Sequence, residues 1–434
     1  MKDIPRIYLS FLGLGTKNEN TGEYDYRPTI YELNGRKSKQ TKFVQVAELE
    51  ILGSSRFDNI IIVATQKSYD THFKNNLKHQ LMELGAKNIT PIIISEDMSA
   101  KGQWEWFEKI LDYIDYGTSL SVDLTHGYRS IPIVFSAAIT FLQKSRNIKI
   151  EAVYYGAYDK NRELAPIIDM KEFFMINEWA EAVSRLVEDA DARKLAEVAE
   201  RTPAYQVQEL NEEEMIQAFE ALTGAIRNVD INNVSYETEK TLTFIRQKED
   251  GATGTSKILL KLLKDKFAPL ATSDPLSGYY DGTYFSLQLE IIGLLLEHRL
   301  FMQAYTAMRE LVGSIGMIPI EGAKFNNAKG RGYRSIYAEV FVKMFQYEKC
   351  QWKFDGKAGE AKDKLLPFYD QLVETGIEAK LRSFSKTLAD YRNGFDHAWT
   401  MKAKAFSDIE EKGQEIYQKL REIVQLLHKK QLLR

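Results

Sequence analysis

A chain of 434 residues with 44% apolar content has enough material for two cores, so its length points to two domains, or to one domain with a large helical extension. A formal charge of −3 excludes a protein that coats nucleic acid indiscriminately and leaves room only for a local basic groove. The single cysteine, Cys350, excludes a disulfide framework, no His and Cys spacing suits zinc, no apolar run spans a bilayer and MKDIPRIYLS lacks a secretion layout, so a cytoplasmic protein without a metal or membrane site is expected.

In chain order, Ile7 to Leu12 reads as the first strand and runs into FLGLGT. This turn carries Gly13, Gly15 and Thr16, but a dinucleotide fingerprint needs a third glycine where Asn18 stands. FVQVAELEIL then reads as helix, Ile60 to Ala64 as strand, and Thr65, Gln66 and Lys67 as a second polar loop. FKNNLKHQLMELG, the strand Ile89 to Ile94, WFEKILDYI, the strand Leu120 to Val122 and the strand Ile148 to Tyr155 continue the alternation, which is the signature of a doubly wound parallel sheet. No GxxxxGK[ST] loop exists to cradle a nucleoside triphosphate. From about Phe173 the pattern is helical almost to the end, with breaks at Arg201 to Tyr205, Lys248 to Ser256, Thr272 to Gly282 and Glu321 to Tyr333. The boundary is expected between Asp169 and Trp179, giving an α/β domain over 1–175 and an all-α domain over 176–434.

The densest chemistry lies in SLSVDLTHGYRSIP, Ser119 to Pro132. An apolar strand ends in Asp123, Thr125, His126, Gly127, Tyr128 and Arg129, and Ser130 caps a helix from Ile131 to about Gln143 with Pro132 in its first turn. Ligands of open α/β sheets sit beyond the carboxyl ends of the strands, where helix N-termini favour anions, so phosphate is the expected guest. Gly127 lets the backbone approach it, Arg129 offers a planar charged fork, and Thr125 and His126 add hydrogen bonds. Gly13, Gly15, Thr16 and Thr65 belong to loops converging on the same crevice.

A second constellation lies in TLADYRNGFDHAWTMK, where Arg392, Asn393 and His397 sit in a segment whose Leu388, Tyr391, Phe395 and Trp399 recur at helical steps, and Arg392 and His397 are the polar outliers. Five residues turn a helix by about 140°, so Arg392 and His397 do not converge on one intact helix. Either Gly394 loosens the helix or a second copy of the chain completes the site; the plain alternative is a surface His and an Arg paired with Asp390 or Asp396.

With both motifs in place the chain resembles the CRISPR-associated ribonucleases of type III systems, in which an α/β Rossmann-like sensor domain (CARF) is followed by an all-α HEPN domain. DLTHGYR, Asp123 to Arg129, resembles the strand-end loop of that family; TKFVQ echoes its RFVQ element with Lys42 in place of Arg; RNGFDH, Arg392 to His397, fits the HEPN pattern. The resemblance implies a homodimer that binds a cyclic oligoadenylate across its two CARF domains, tetra-adenylate favoured over hexa-adenylate, as an allosteric activator. It also implies metal-independent cleavage of single-stranded RNA, without further cofactor: His397 moves the proton, Arg392 stabilises the phosphorane-like transition state, Asn393 orients one of them, and 2′,3′-cyclic phosphate ends result. AKFNNAKGRGYRS, with Lys324, Lys329, Arg331, Arg334 and Tyr333, reads as a loop that either holds the RNA backbone or is a solvated connection. The alternatives are a non-catalytic ligand-sensing regulator, and a sensor domain that also degrades its activator. No DNA-reading helix with clustered basic residues is found, so DNA is not an expected partner.

Overall fold

The computed structural model describes residues 4–433 apart from 18, 20, 21, 98, 127–130, 160, 204–206, 253, 273–275 and 400–405. The chain divides into two compact units, Met1–Asn177 and Glu178–Arg434.

The first unit is built on five parallel strands in the order β9-β8-β1-β6-β7: β1 (Arg6–Leu12), β6 (Asn59–Thr65), β7 (Ile89–Ile94), β8 (Ser119–Asp123) and β9 (Lys149–Gly156). They are apolar on both faces because both faces are covered. Ile7, Leu9 and Phe11 pack with Trp106, Phe135 and Ile139, whereas Tyr8 and Leu12 pack with Phe43, Leu49 and Phe73. The helices are α1 (Val44–Leu52), α2 (Gln66–Ser68), α3 (Lys78–Glu83), α4 (Ala100–Leu111) and α5 (Ile131–Ser145), with a π-helical segment, Tyr69–Leu77, joining α2 to α3.

Two expectations are corrected here. The sheet is mixed, because β10 (Leu164–Asp169) pairs antiparallel with β9, β4 (Ile30–Leu33) pairs parallel with β10, and β5 (Arg36–Lys37) closes the edge antiparallel to β4. Thr65, Gln66 and Lys67 are not a loop: Thr65 caps α2, its side chain accepting from the Ser68 amide at 3.3 Å. A small hairpin, β2 (Thr16–Lys17) with β3 (Tyr24–Asp25), carries Thr16.

The second unit is helical. α6 (Lys171–Asp189) runs through the division, and α7 (Arg193–Ala199), α8 (Glu213–Arg227), α9 (Ile231–Glu249), α10 (Gly254–Phe267), α11 (Gly282–Glu297), α12 (Phe301–Ile315), α13 (Ala328–Gln346), α14 (Lys357–Glu374), α15 (Ile377–Asp396) and α16 (Phe406–Lys429) follow. One core joins them, with Trp179, Phe219, Phe267, Phe285, Tyr305 and Phe341 fully buried. A further correction concerns Lys329, Arg331 and Arg334, read from their glycines as loop. They lie on α13, which starts at Ala328 because Asn327 caps it, accepting from the Gly330 amide at 2.7 Å. Among the described residues no helix is long and apolar enough to cross a membrane, and no three His, Cys, Asp or Glu side chains are grouped to hold a metal.

Candidate functional site

In the first unit the end of β8 is tied to its neighbours through Asp123. Its carboxylate accepts from Ser10 Oγ at 2.6 Å, from the Thr125 amide at 2.8 Å and from the Thr125 hydroxyl. Thr125 Oγ1 in turn accepts from the Gly156 amide of β9 at 2.7 Å. The hydroxyl expected to meet a ligand is therefore spent on holding two strand ends together. Gln45 of α1 donates to Ser10 Oγ at 2.9 Å and to the Phe11 carbonyl at 3.0 Å, and Tyr8 donates to Glu48 at 2.7 Å. Burial pushes the Asp123 carboxyl up to about 6 and raises Glu48 well above the usual carboxylate range.

The FLGLGT turn is gripped from two sides. His72 Nε2 lies 3.0 Å from the Leu14 carbonyl, and a Cβ on Gly15, whose φ is +75°, would stand 2.5 Å from the Asp25 carbonyl oxygen. Only glycine suits that position. Lys42, which replaces the arginine of the RFVQ element, pairs with Asp25 at 2.5 Å. Lys67 lies over the Tyr24 ring at 4.6 Å. Gly13 is partly buried ahead of the turn and Thr16 is exposed on β2, while Thr65 is buried, its hydroxyl sharing a 3.2 Å hydrogen bond with Ser68.

His126 stacks on Tyr26 with ring centres 4.7 Å apart, and Tyr26 contacts His72 at 5.1 Å. Burial holds the His126 imidazole down to about 4, which leaves it neutral at pH 7. Its Nε2, the Tyr26 hydroxyl and Gln45 Oε1 are buried without a hydrogen-bond partner. Open polar valences of this kind are uncommon in a packed interior and mark a place where a ligand can complete them. Gly127 and Arg129 lie outside the described residues. Gln45 ends the TKFVQ element noted in the sequence, whereas Tyr26, His72 and Glu48 are added by the structure; the signal available for Glu48 was a second polar residue, three after Gln45, in the largely apolar VQVAELEIL.

The second constellation closes α15. Tyr391 stacks on Tyr305 at 5.2 Å with ring planes 6° apart, Phe395 meets Tyr305 at 5.5 Å, and Trp399 packs on both Tyr391 and Phe395. That aromatic face is the core side; Asn393 and His397 are exposed and Arg392 is half buried. The helix is intact through Asp396, so Gly394 does not loosen it. Gly394 instead admits Trp399, whose ring would lie 2.4 Å from any Cβ there and whose amide donates to the Gly394 carbonyl at 2.8 Å. Ala398 and Trp399 adopt left-handed φ of 49° and 54° and turn the chain back just after His397. Arg392 forms an ion pair with Asp396, its Nε is buried without a partner, and no hydrogen bond joins it to His397.

No family model matches the chain. It is 24% identical over 273 residues to the CRISPR-associated protein MJ1674 of Methanocaldococcus jannaschii, a match that covers 48% of this chain and 43% of that protein, so the chain spans less than half the length of this relative. Among solved structures, Enterococcus italicus Csm6 bound to cyclic hexa-2′-fluoro-hexa-dAMP superimposes over 99% of this chain and 95% of that one, with a TM-score of 0.45 and 9% identity. The chain is thus similar in sequence to a CRISPR-associated protein, and it joins an α/β sheet to a helical unit.

Proposed function

We propose that this protein is an endoribonuclease switched on by a cyclic oligoadenylate, acting as a homodimer on single-stranded RNA without a metal ion. The observation that carries the reading is the end of α15, where an exposed His397 and a half-buried Arg392 with an unpartnered Nε stand on a helix fixed by four aromatic rings. The RNA 2′-hydroxyl loses its proton to a histidine and attacks the adjacent phosphorus; the 5′-oxygen leaves with a proton, and a 2′,3′-cyclic phosphate remains. Arg392 meets the charge that develops on the phosphoryl oxygens, and Asp396 aims its guanidinium. Five residues turn a helix by about 140° and α15 is intact through Asp396, so two α15 ends together supply the pair of Arg392 and His397. In the α/β unit, the aromatic group of Tyr26, His72 and His126 offers ring faces and open hydrogen-bonding atoms to an adenine, with the turn of Gly13 and Gly15 beside it for its phosphates.

The test is cleavage of end-labelled RNA in EDTA, without activator and with cyclic tetra- or hexa-adenylate, followed by analysis of the product ends. The proposal expects cleavage that rises with the cyclic tetramer more than with the hexamer and leaves cyclic phosphate. No cleavage under any of these conditions favours a non-catalytic regulator. Disappearance of the activator itself on incubation assigns degradation to the α/β unit.

A further inference from the structure

We infer that the outer face of α13, together with Lys324 before it and Lys364 beside it, is a docking strip for single-stranded RNA. This deepens the proposed function, and rests on it for the identity of the substrate. The starting point is charge: from Ala323 to Lys343 the chain carries Lys324, Lys329, Arg331, Arg334 and Lys343 against one acid, Glu339, in a protein of net charge −3.

The structure separates these cations into two sets. Arg334 is a structural residue, paired with Glu310 at 2.7 Å and donating to the Glu310 carbonyl and to Ser314 Oγ, and Glu339 is taken up by Arg309 at 2.7 Å. Those groups cement α12 to α13. Lys324, Lys329 and Arg331 form no ion pair among the described residues, and the last two are exposed.

What these cations do touch is aromatic. Lys324 Nζ lies 4.5 Å from the centre of the Tyr279 ring, which is 44% exposed, and Lys329 Nζ lies 5.7 Å from that of Tyr333. Tyr333 meets Tyr337 edge-on at 6.0 Å, and Lys364 of α14 donates to the Tyr337 hydroxyl at 3.2 Å. Lys329, Tyr333 and Tyr337 are spaced by four and so share one face of the helix. Gly330 permits Lys324 to join them, since a Cβ there would fall 1.5 Å from the Lys324 carbonyl oxygen.

Cations interleaved with tyrosine rings suit a strand whose phosphates alternate with unpaired bases, because the exposed Tyr279 ring and the partly exposed Tyr333 ring each take a base face and the lysines the phosphates, while Tyr337 is buried and anchors Lys364 through its hydroxyl. An acidic peptide would use the charges and leave the rings idle. A duplex keeps its base faces stacked on each other and gains nothing from them. The strip also shares its support with the cleavage motif: Tyr305 of α12 stacks on Tyr391, next to Arg392, and one turn along the same helix Arg309 clamps Glu339 of α13.

The test uses the full chain carrying His397→Ala to prevent turnover, with a fluorescently labelled unstructured RNA and anisotropy read across a salt series. Replacing Lys324, Lys329 and Arg331 together by Gln is expected to weaken binding at least tenfold and to lower the slope of log K against log salt by about 2, at about 0.7 for each phosphate neutralised on a single strand. Tyr279→Ala is expected to cost about tenfold. Unchanged affinity and slope in the triple variant would overturn the inference, as would equal binding of a duplex or displacement of the RNA by oligoglutamate at matched charge. The two readings fail separately. If otherwise wild-type protein binds RNA through the strip and never cleaves it, the ribonuclease reading falls and the strip stands; if it cleaves and the triple substitution leaves binding and KM unchanged, the strip falls alone.

Discussion

Asp123→Asn isolates the electrostatic cost of building the strand-end loop. The carboxyl is fully buried and its pKa rises from 3.8 to about 6, a difference of about 3 kcal/mol between ionising it in the folded and in the unfolded chain. A raised folded-state pKa means that this contribution to stability is complete below pH 3.8 and is lost as the pH climbs through 6; about 2 kcal/mol of it disappears between pH 4.5 and 7.5. Asparagine keeps an oxygen for the Thr125 amide and hydroxyl. Its NH2 faces Ser10, whose hydroxyl turns to the Phe11 carbonyl, 3.4 Å away. Burial, the largest cause of the raised Glu48 pKa, is the same in the variant. Relative to wild type, Asp123→Asn should therefore gain about 2 kcal/mol on going from pH 4.5 to 7.5. Urea unfolding of the full chain at both pH values, with the first unit followed by hydrogen exchange of the β1 and β8 peptides, measures that difference. A stability difference that is the same at both pH values would refute the reasoning.

Gly394→Ala sets a methyl group into the Trp399 ring and should lower the stability of the helical unit by about 1–3 kcal/mol, with loss of cleavage as His397 is displaced; urea unfolding together with the RNA assay reads both. Arg334→Leu removes donors from the Glu310 carbonyl and Ser314 and should cost about 2–4 kcal/mol, whereas Lys329→Gln on the exposed strip should stay within about 0.5 kcal/mol, a contrast visible in denaturant midpoints. His126→Ala and Arg129→Ala should raise the activator concentration needed for half-maximal cleavage and leave basal cleavage intact, as titration with cyclic tetra-adenylate would show.

The five central strands are readable from the chain because strands buried on both faces are runs of Ile, Val and Tyr bounded by polar turns. The added edge is not, since β4 is four residues long and β10 holds Pro166 against an otherwise apolar run. The crevice divides in the same way. Gly15 and Thr125 announce themselves by type and position, but Tyr26 and His72 arrive from segments that only the folded chain brings to His126. Gln45 and Glu48 look in sequence like the wet side of an amphipathic helix, and both are buried. Around α13 the glycines suggested a loop; the cap at Asn327 and the grip of Arg334 on Glu310 outweigh the intrinsic cost of Gly330 and Gly332 in a helix. At α15 the sequence left open whether Gly394 loosens the helix; the helix is intact through Asp396, and the part played by Gly394 depended on where Trp399 returns.

Mixing two inactive variants tests the central claim most directly, namely a ribonuclease site shared between two copies of α15. Arg392→Ala and His397→Ala are purified separately, each assayed with activator and RNA, and then combined under conditions that let subunits exchange. Each alone should be inactive. A mixed dimer retains one Arg392 and one His397 on opposite copies, so the mixture should recover about a quarter of wild-type activity, half of its dimers being mixed and each of those holding one of two sites intact. Full cleavage by either variant alone, or a mixture that stays inactive although exchange is demonstrated, would contradict the account.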